Sequence, residues 1–332
     1  MRLSNDSMAN LDLSGIARER LALLPTPLQP APRLSAAIGV EVWFKRDDLT
    51  GLGLGGNKVR PLEFLLGEAL ARHCDVLVTG SGAQSNWSML AALAARRCGL
   101  DSVVCFYGTQ PPEARGNLLL QSLTGADLRW TGDASRASVD LMIEQVADEL
   151  RSAGRTPLVV PRGGATARGS LGYLAAAAEI ADQAADAGLI NPTLWLGTGS
   201  CGTQGGLVAG VAAGFIPRVV GVTVSRPADE CRERVFDLAR GAADLARTPA
   251  PDATMVTVID GFIGPGYGYA SHDGAAAADL VARTEGIFLD PPFCAKAMAA
   301  LMSSARAGEI DSPVILLVSG GGPTLFVQDG PL

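Results

Sequence analysis

One lysine stands where its neighbours could give it chemistry. The stretch Gly51-Leu-Gly-Leu-Gly-Gly-Asn-Lys-Val-Arg60 sets four glycines in six positions ahead of Lys58. Such a backbone can take positive φ and come close to a ligand. Pro61 suits the first turn of a helix, and Leu62-Glu-Phe-Leu-Leu-Gly-Glu-Ala-Leu70 continues with apolar residues at helical spacing. Lys58 is therefore expected just before a helix N-terminus, where the positive end of the macrodipole disfavours a cation and lowers its pKa. A neutral amine of that kind can form a Schiff base. The plain alternative is an exposed lysine in a flexible loop, and only company further along the chain argues against it.

Three other loops supply that company. Gly197-Thr-Gly-Ser-Cys-Gly-Thr203 offers N–H groups and hydroxyls at a helix start, which suits a phosphate dianion. It also reads GxGxxG, and a dinucleotide site would want an acid at the end of the next strand. Ser225-Arg226 follow Val224 instead, and the first acid is Asp229. An arginine could serve a 2′-phosphate, so an NADP-dependent oxidoreductase stays open. Ser81-Gly-Ala-Gln-Ser-Asn86 could clamp a carboxylate, although Ser85 or Asn86 alone would be an ordinary helix N-cap. Ser319-Gly-Gly-Gly places a neutral hydroxyl after the last strand, or is simply a turn.

The elements that must position these loops alternate. Strands are predicted over 40–45, 75–79, 102–107, 127–130, 157–160, 193–196, 218–224 and 313–318. Helices are predicted over 62–73, 87–98, 113–123, 137–153, 171–187, 204–214, 228–245, 274–283 and 294–307. This is an α/β chain with a mainly parallel sheet and crossover helices. Loops that follow strands then converge at the carboxyl ends, where ligands bind. Residues 25–30 read as an extended segment held by prolines, and 260–269 as irregular.

A chain of 332 residues has room for two domains, and 48% hydrophobic against 18% charged residues describes a well-buried protein. A formal charge of −7 argues against a nucleic-acid partner. Cys74, Cys98, Cys105, Cys201, Cys231 and Cys294 are scattered, and His73 and His272 are the two histidines, so no metal site is expected. Met1–Met8 has no apolar run of the secretory kind. Nothing between Asp186 and Arg218 is charged, yet Asn191, Pro192 and Gln204 argue for a strand, loop and buried helix, not a membrane span. The expectation is a cytoplasmic protein with no membrane contact.

Together these loops resemble the fold-type II pyridoxal phosphate enzymes, specifically the 1-aminocyclopropane-1-carboxylate deaminase/D-cysteine desulfhydrase family. The likeness runs from Pro25-Thr-Pro-Leu28 to Phe326. It implies the tryptophan synthase beta-like fold: two three-layer αβα domains, a large one from 1–59 plus 169–332 and a smaller one from 60–168. Gly55-Gly-Asn-Lys58 matches the Schiff-base lysine motif, and Gly199, Ser200, Cys201, Gly202 and Thr203 match the phosphate cup. Ser81, Gln84, Ser85 and Asn86 correspond to the loop that holds the substrate carboxylate, with Asn86 also on the ring oxygen. Gly264-Pro-Gly-Tyr-Gly268 brings an active-site tyrosine, Tyr267, and Ser319 with Cys294 stands at the pyridine nitrogen. Lys58, Ser85 and Tyr267 are the implied catalytic residues. A neutral nitrogen partner favours expelling a β-substituent over a long-lived carbanion. The implied reaction is α,β-elimination from a small amino acid of the D-cysteine, cysteate or diaminopropionate type, catalysed by a homodimer. A β-replacement synthase and a non-catalytic cofactor-binding protein are the alternatives. Three positions depart from the family: Phe293 replaces a tyrosine implicated in cyclopropane opening, Pro61 a phosphate-contacting lysine, and Trp87 with Met89 polar residues of the substrate wall.

Overall fold

In the computed structural model, which describes residues 10–311 and 313–327, two open sheets form the frame. Met1–Met8, read above for a secretory signal, lies outside the described residues. The chain starts with strand β1 (Leu28–Pro30), helix α1 (Pro32–Ile38), strand β2 (Val42–Arg46) and helix α2 (Val59–Ala71). Then come β3 (Val76–Ser81), α3 (Asn86–Arg97), β4 (Asp101–Phe106), α4 (Gly116–Ser122), β5 (Asp127–Trp130), α5 (Ser138–Ser152), β6 (Pro157–Val159) and α6 (Ala167–Asp186). The remainder gives β7 (Thr193–Thr198), α7 (Gly202–Ala212), β8 (Arg218–Thr223), α8 (Ala228–Ala246), β9 (Thr257–Ile259), α9 (His272–Glu285), α10 (Cys294–Arg306) and β10 (Val314–Val318).

One sheet has six strands in the order β1-β2-β10-β7-β8-β9, parallel except where β1 runs against β2. The other has four parallel strands in the order β5-β4-β3-β6. Both sheets are covered on two faces, which is why their strands read as near-continuous apolar runs. The period of two sorts each strand. Leu194, Leu196, Ile315 and Leu317 meet Ala177, Leu207 and Val235 of α6, α7 and α8. Trp195, Val220 and Leu316 meet Leu34, Val281 and Met298 of α1, α9 and α10 on the opposite face. In the smaller sheet Val76 and Val103 pack on Val139 and Ile143 of α5, while Leu77 faces Leu66 of α2 and Leu90 of α3.

The predicted alternation holds, and the differences have local causes. Helix α6 starts at Ala167, ahead of the predicted Leu171, because Thr166 caps it by accepting from Gly169 N. Gly169 and Gly172 suggest a loop in the sequence. A Cβ on Gly172 would lie 2.5 Å from the Arg60 backbone, so its bare backbone lets α6 approach α2. Short α1 and the three-residue edge strand β9 carry too little periodicity to be predicted. Under α2 a buried group of charges (Lys45, Asp47, Arg60 and Glu179, with Tyr173) ties β2, α2 and α6 together. Among the described residues no helix is long and apolar enough to cross a membrane.

Candidate active site

The carboxyl ends of β2, β3, β7 and β10 deliver four loops to one cavity. The lysine loop is pinned there. Thr50 Oγ1 donates to the Gly56 carbonyl (2.9 Å) and accepts from Gly56 N (2.8 Å), and Asn57 N donates to the Ser319 carbonyl (2.9 Å). Lys58 takes the N-cap position of α2 and lines the cavity. Burial pushes its pKa down from 10.5 to about 8. The expected direction is correct, and the principal cause is loss of water.

The sequence contains three lysines, and two are committed elsewhere. Lys45 Nζ donates to the Thr26 carbonyl and to Gln183 Oε1 and pairs with Glu179. Lys296 Nζ donates to the carbonyls of Ile263 (2.7 Å) and Gly266 (3.3 Å). Lys58 alone has no hydrogen-bond or carboxylate partner among the described residues. A half-buried amine with a lowered pKa and no counter-charge is a nucleophile and a base.

Gly199, Ser200, Cys201 and Thr203 line the cavity opposite, and Gly202 lies within the same first turn of α7. That helix has no side-chain cap, and its N-cap residue Cys201 takes the left-handed conformation at φ 74°. Helices α3, α6 and α9, by contrast, are capped by Ser85, Thr166 and Ser271. The first N–H groups of α7 therefore stay open to a ligand. Asn57 Nδ2 donates to Thr203 Oγ1 (3.1 Å) and joins this cup to the lysine loop. Sequence reasoning did not single out Asn57, since an asparagine after glycines reads as a turn residue.

The Ser81–Asn86 loop divides. Ser85 caps α3 by accepting from Trp87 N (3.2 Å), and its hydroxyl still reaches the cavity wall. Asn86 Oδ1 accepts from Asn117 Nδ2 (2.7 Å), which leaves its NH2 end to donate in the cavity. Trp87 is buried in the wall with Nε1 donating to Thr79 Oγ1 (2.9 Å). Three expectations need correction. Gln84 is not in the lining: its amide accepts from Asn117 N and donates to the Arg115 carbonyl, tying the loop to α4. Met89 packs in the apolar core with Leu62 and Leu90 and forms no part of the wall. Ser81 donates to Ser88 Oγ (2.7 Å) and borders an adjoining cavity instead.

Ser319 lines the remaining side, its Oγ 3.0 Å from Cys294 Sγ. Cys294 itself lies behind it, with burial and the neighbouring Asp290 holding the thiol well above its ordinary pKa. Asp290 accepts from the amides of Phe293 (3.0 Å) and Cys294 (3.1 Å), and burial raises it to about 6. The pair Ser319–Cys294 is thus neutral. Tyr267 and Phe293 meet edge to face at 6.2 Å and close the cavity. Burial raises the Tyr267 pKa, so its phenol keeps the proton. Lys296, unremarked in the sequence, holds the carbonyls of Ile263 and Gly266 just ahead of Tyr267.

The sequence matches a family described as "Pyridoxal-phosphate dependent enzyme" over residues 20–320. It is 37% identical over 310 residues to a Pyrococcus abyssi protein assigned provisionally as a 1-aminocyclopropane-1-carboxylate deaminase, covering 92% of this chain and 93% of that one. It is 35% identical over 328 residues to a D-cysteine desulfhydrase of Klebsiella pneumoniae subsp. pneumoniae, covering 96% and 98%. Among solved structures, a crystal structure of an ACC deaminase homologue superposes with a TM-score of 0.88 at 34% identity, covering 98% of this chain and 97% of that one. A fungal L-serine ammonia-lyase from Rhizomucor miehei, at 16% identity and a TM-score of 0.65, shares the fold, covering 92% and 96%. The free amine, the uncapped helix start and the neutral hydroxyl are what an aromatic aldehyde bearing a phosphate would need.

Proposed function

Because this chain belongs to the pyridoxal-phosphate-dependent enzymes, we propose that Lys58 holds the cofactor and that the cavity removes the β-substituent of a small amino acid, releasing a 2-oxo acid and ammonia. The bound cofactor supplies an electron sink for the bond broken at the α-carbon. The side chains do the rest. The Lys58 amine, its pKa lowered by burial, takes the α-proton in its neutral form. The Ser85 hydroxyl and the N–H groups of its loop hold the substrate carboxylate, and Asn86 donates to the cofactor's ring oxygen. The uncapped start of α7 holds the phosphate. Ser319 and Cys294 offer the ring nitrogen a partner without charge, which favours prompt departure of a substituent. Tyr267, still protonated, donates toward the leaving group, and Trp87 and Phe293 keep water out.

The observation that carries this reading is the one lysine without a partner among the described residues, beside an uncapped helix start. Phe293 has no hydroxyl, so cyclopropane opening is not expected. The same reading takes a large domain of 1–59 plus 169–332 and a small one of 60–168, in a cytoplasmic homodimer. The test is turnover of a panel of D- and L-amino acids with β-substituents, with 1-aminocyclopropane-1-carboxylate included. Ammonia and a 2-oxo acid from β-substituted members, and none from the cyclopropane, are the expected result. New amino acids formed when a thiol is added would assign replacement instead, and no turnover at all would leave a cofactor-binding protein.

A further inference from the structure

A second cavity adjoins the first across Ser85, Gly199 and Tyr267, and runs outward past Ser81 and Tyr107. Four arginines line it: Arg136, Arg162, Arg226 and Arg234. In a chain of formal charge −7, this concentrates positive charge beside the reacting centre. Asp140 is the single acid in the lining among the described residues, and Arg162 already meets it through two contacts of 3.1 Å. Arg226 leans on Glu230 (3.2 Å), and Arg234 Nε donates to the Ser200 carbonyl (3.2 Å). Arg136 meets no carboxylate among the described residues. Its guanidinium carbon lies 4.4 Å from the centre of the Tyr267 ring, and its buried Nε finds no hydrogen-bond partner among those residues either. A buried donor left unpaired is costly and calls for an occupant.

We propose that this cavity is the subsite for the substrate's β-substituent, and that the substituent is a tetrahedral oxyanion, a sulfonate or a phosphate. The proposal rests on the elimination reading above and deepens it. Guanidinium forks suit such anions by geometry as well as charge. The amino acid is held at Lys58 and its distal group reaches Arg136, Arg162 and Arg226. The α-proton passes to Lys58 and the Cβ–S or Cβ–O bond breaks, its electron pair leaving on sulfite or phosphate. Water then supplies the keto oxygen of the 2-oxo acid as the nitrogen departs as ammonia. The arginines stabilise the charge that grows on the leaving group. A neutral thiol would leave them unmatched, so D-cysteine is a poor substrate in this account.

The experiment compares cysteate and O-phosphoserine, each as both enantiomers, with the uncharged-substituent substrate β-chloroalanine, in wild type, Arg136→Gln, Arg136→Lys and Arg226→Gln holoenzymes. Arg136→Gln is expected to lower kcat/KM about 30-fold for whichever oxyanion substrate wild type prefers, with a fall at least about ten times smaller for β-chloroalanine. Arg136→Lys should restore part of the preference, and Arg226→Gln should show the same selectivity with a smaller loss. Calorimetry with 3-sulfopropanoate and propanoate gives a readout free of turnover: wild type should bind the sulfonate more tightly, and Arg136→Gln should lose that difference. Equal losses on all substrates, or equal binding of the two acids by wild type, would overturn the subsite. If β-chloroalanine too gives no ammonia, it is the elimination reading that fails.

Discussion

Lys45 and Lys58 lie on either side of the same loop, and burial lowers the pKa of both. Their surroundings otherwise differ. Around Lys45 every charge is answered: Glu179 and Gln183 meet the amine, Arg60 grips Asp47 at 2.7 and 2.9 Å and reaches Glu179, and the Tyr173 hydroxyl donates to Asp47. Around Lys58 no carboxylate is present among the described residues, and the neighbouring Cys201 thiol keeps its proton and offers no counter-charge. The same loss of water therefore gives structure where a counter-ion is supplied and reactivity where it is withheld.

The contrast can be broken by swapping what each lysine has. Lys58→Ala should lower kcat by about 10³-fold or more without lowering the urea midpoint of the cofactor-free protein, because the amine carries chemistry and no stabilising pair. Glu179→Gln should do the reverse. It strands Lys45 and Arg60 in the interior and should cost about 3–5 kcal/mol in urea unfolding, with kcat of the folded fraction falling less than about threefold.

The two lysines also differ in what pH does to them. The Lys58 value of about 8 lies below its ordinary 10.5, so across that window the unfolded chain holds a proton the folded chain has lost. Stability of the cofactor-free protein then rises with pH over this range, and Lys58→Met should remove that share of the rise. Uptake of the aldehyde should quicken about tenfold per pH unit below that value and level off above it, since only the neutral amine attacks. The smallest effect belongs to Lys296→Met. Losing two bonds to the turn that carries Tyr267 should reduce kcat/KM several-fold at a stability cost of about 1–3 kcal/mol, read by steady-state kinetics and urea.

How much of this was legible in the sequence follows the same division. Lys58, Ser85, Asn86, the Gly199–Thr203 cup and Ser319 announce themselves because glycine-rich loops after apolar runs must sit at strand ends, whereas Tyr267 and Phe293 were singled out only by the family resemblance. The strands were readable for a related reason, since both sheets are covered on two faces and most of their residues are apolar. Gln84 misled because its side chain could equally serve a ligand or a neighbouring helix, and only the placement of α4 decides. Arg136 and Arg162 were silent: Arg136 sits in a polar stretch ahead of a helix, and Arg162 in a glycine-rich bend that reads only as a turn. Their meeting in one cavity wall depends on the pairing of β3 with β6 and the packing of α5. Lys296 was hidden inside an amphipathic helix, where a buried lysine is told from a surface one only by its acceptors.

The central claim concerns which amine carries the aldehyde, and a chain with three lysines allows a direct answer. Protein loaded with pyridoxal phosphate is reduced with borohydride, digested and mapped by mass spectrometry. The account predicts the pyridoxyl adduct on Lys58, with Lys45 and Lys296 unmodified. An adduct on either of those two, or none on Lys58 in protein that carries the cofactor, would contradict it.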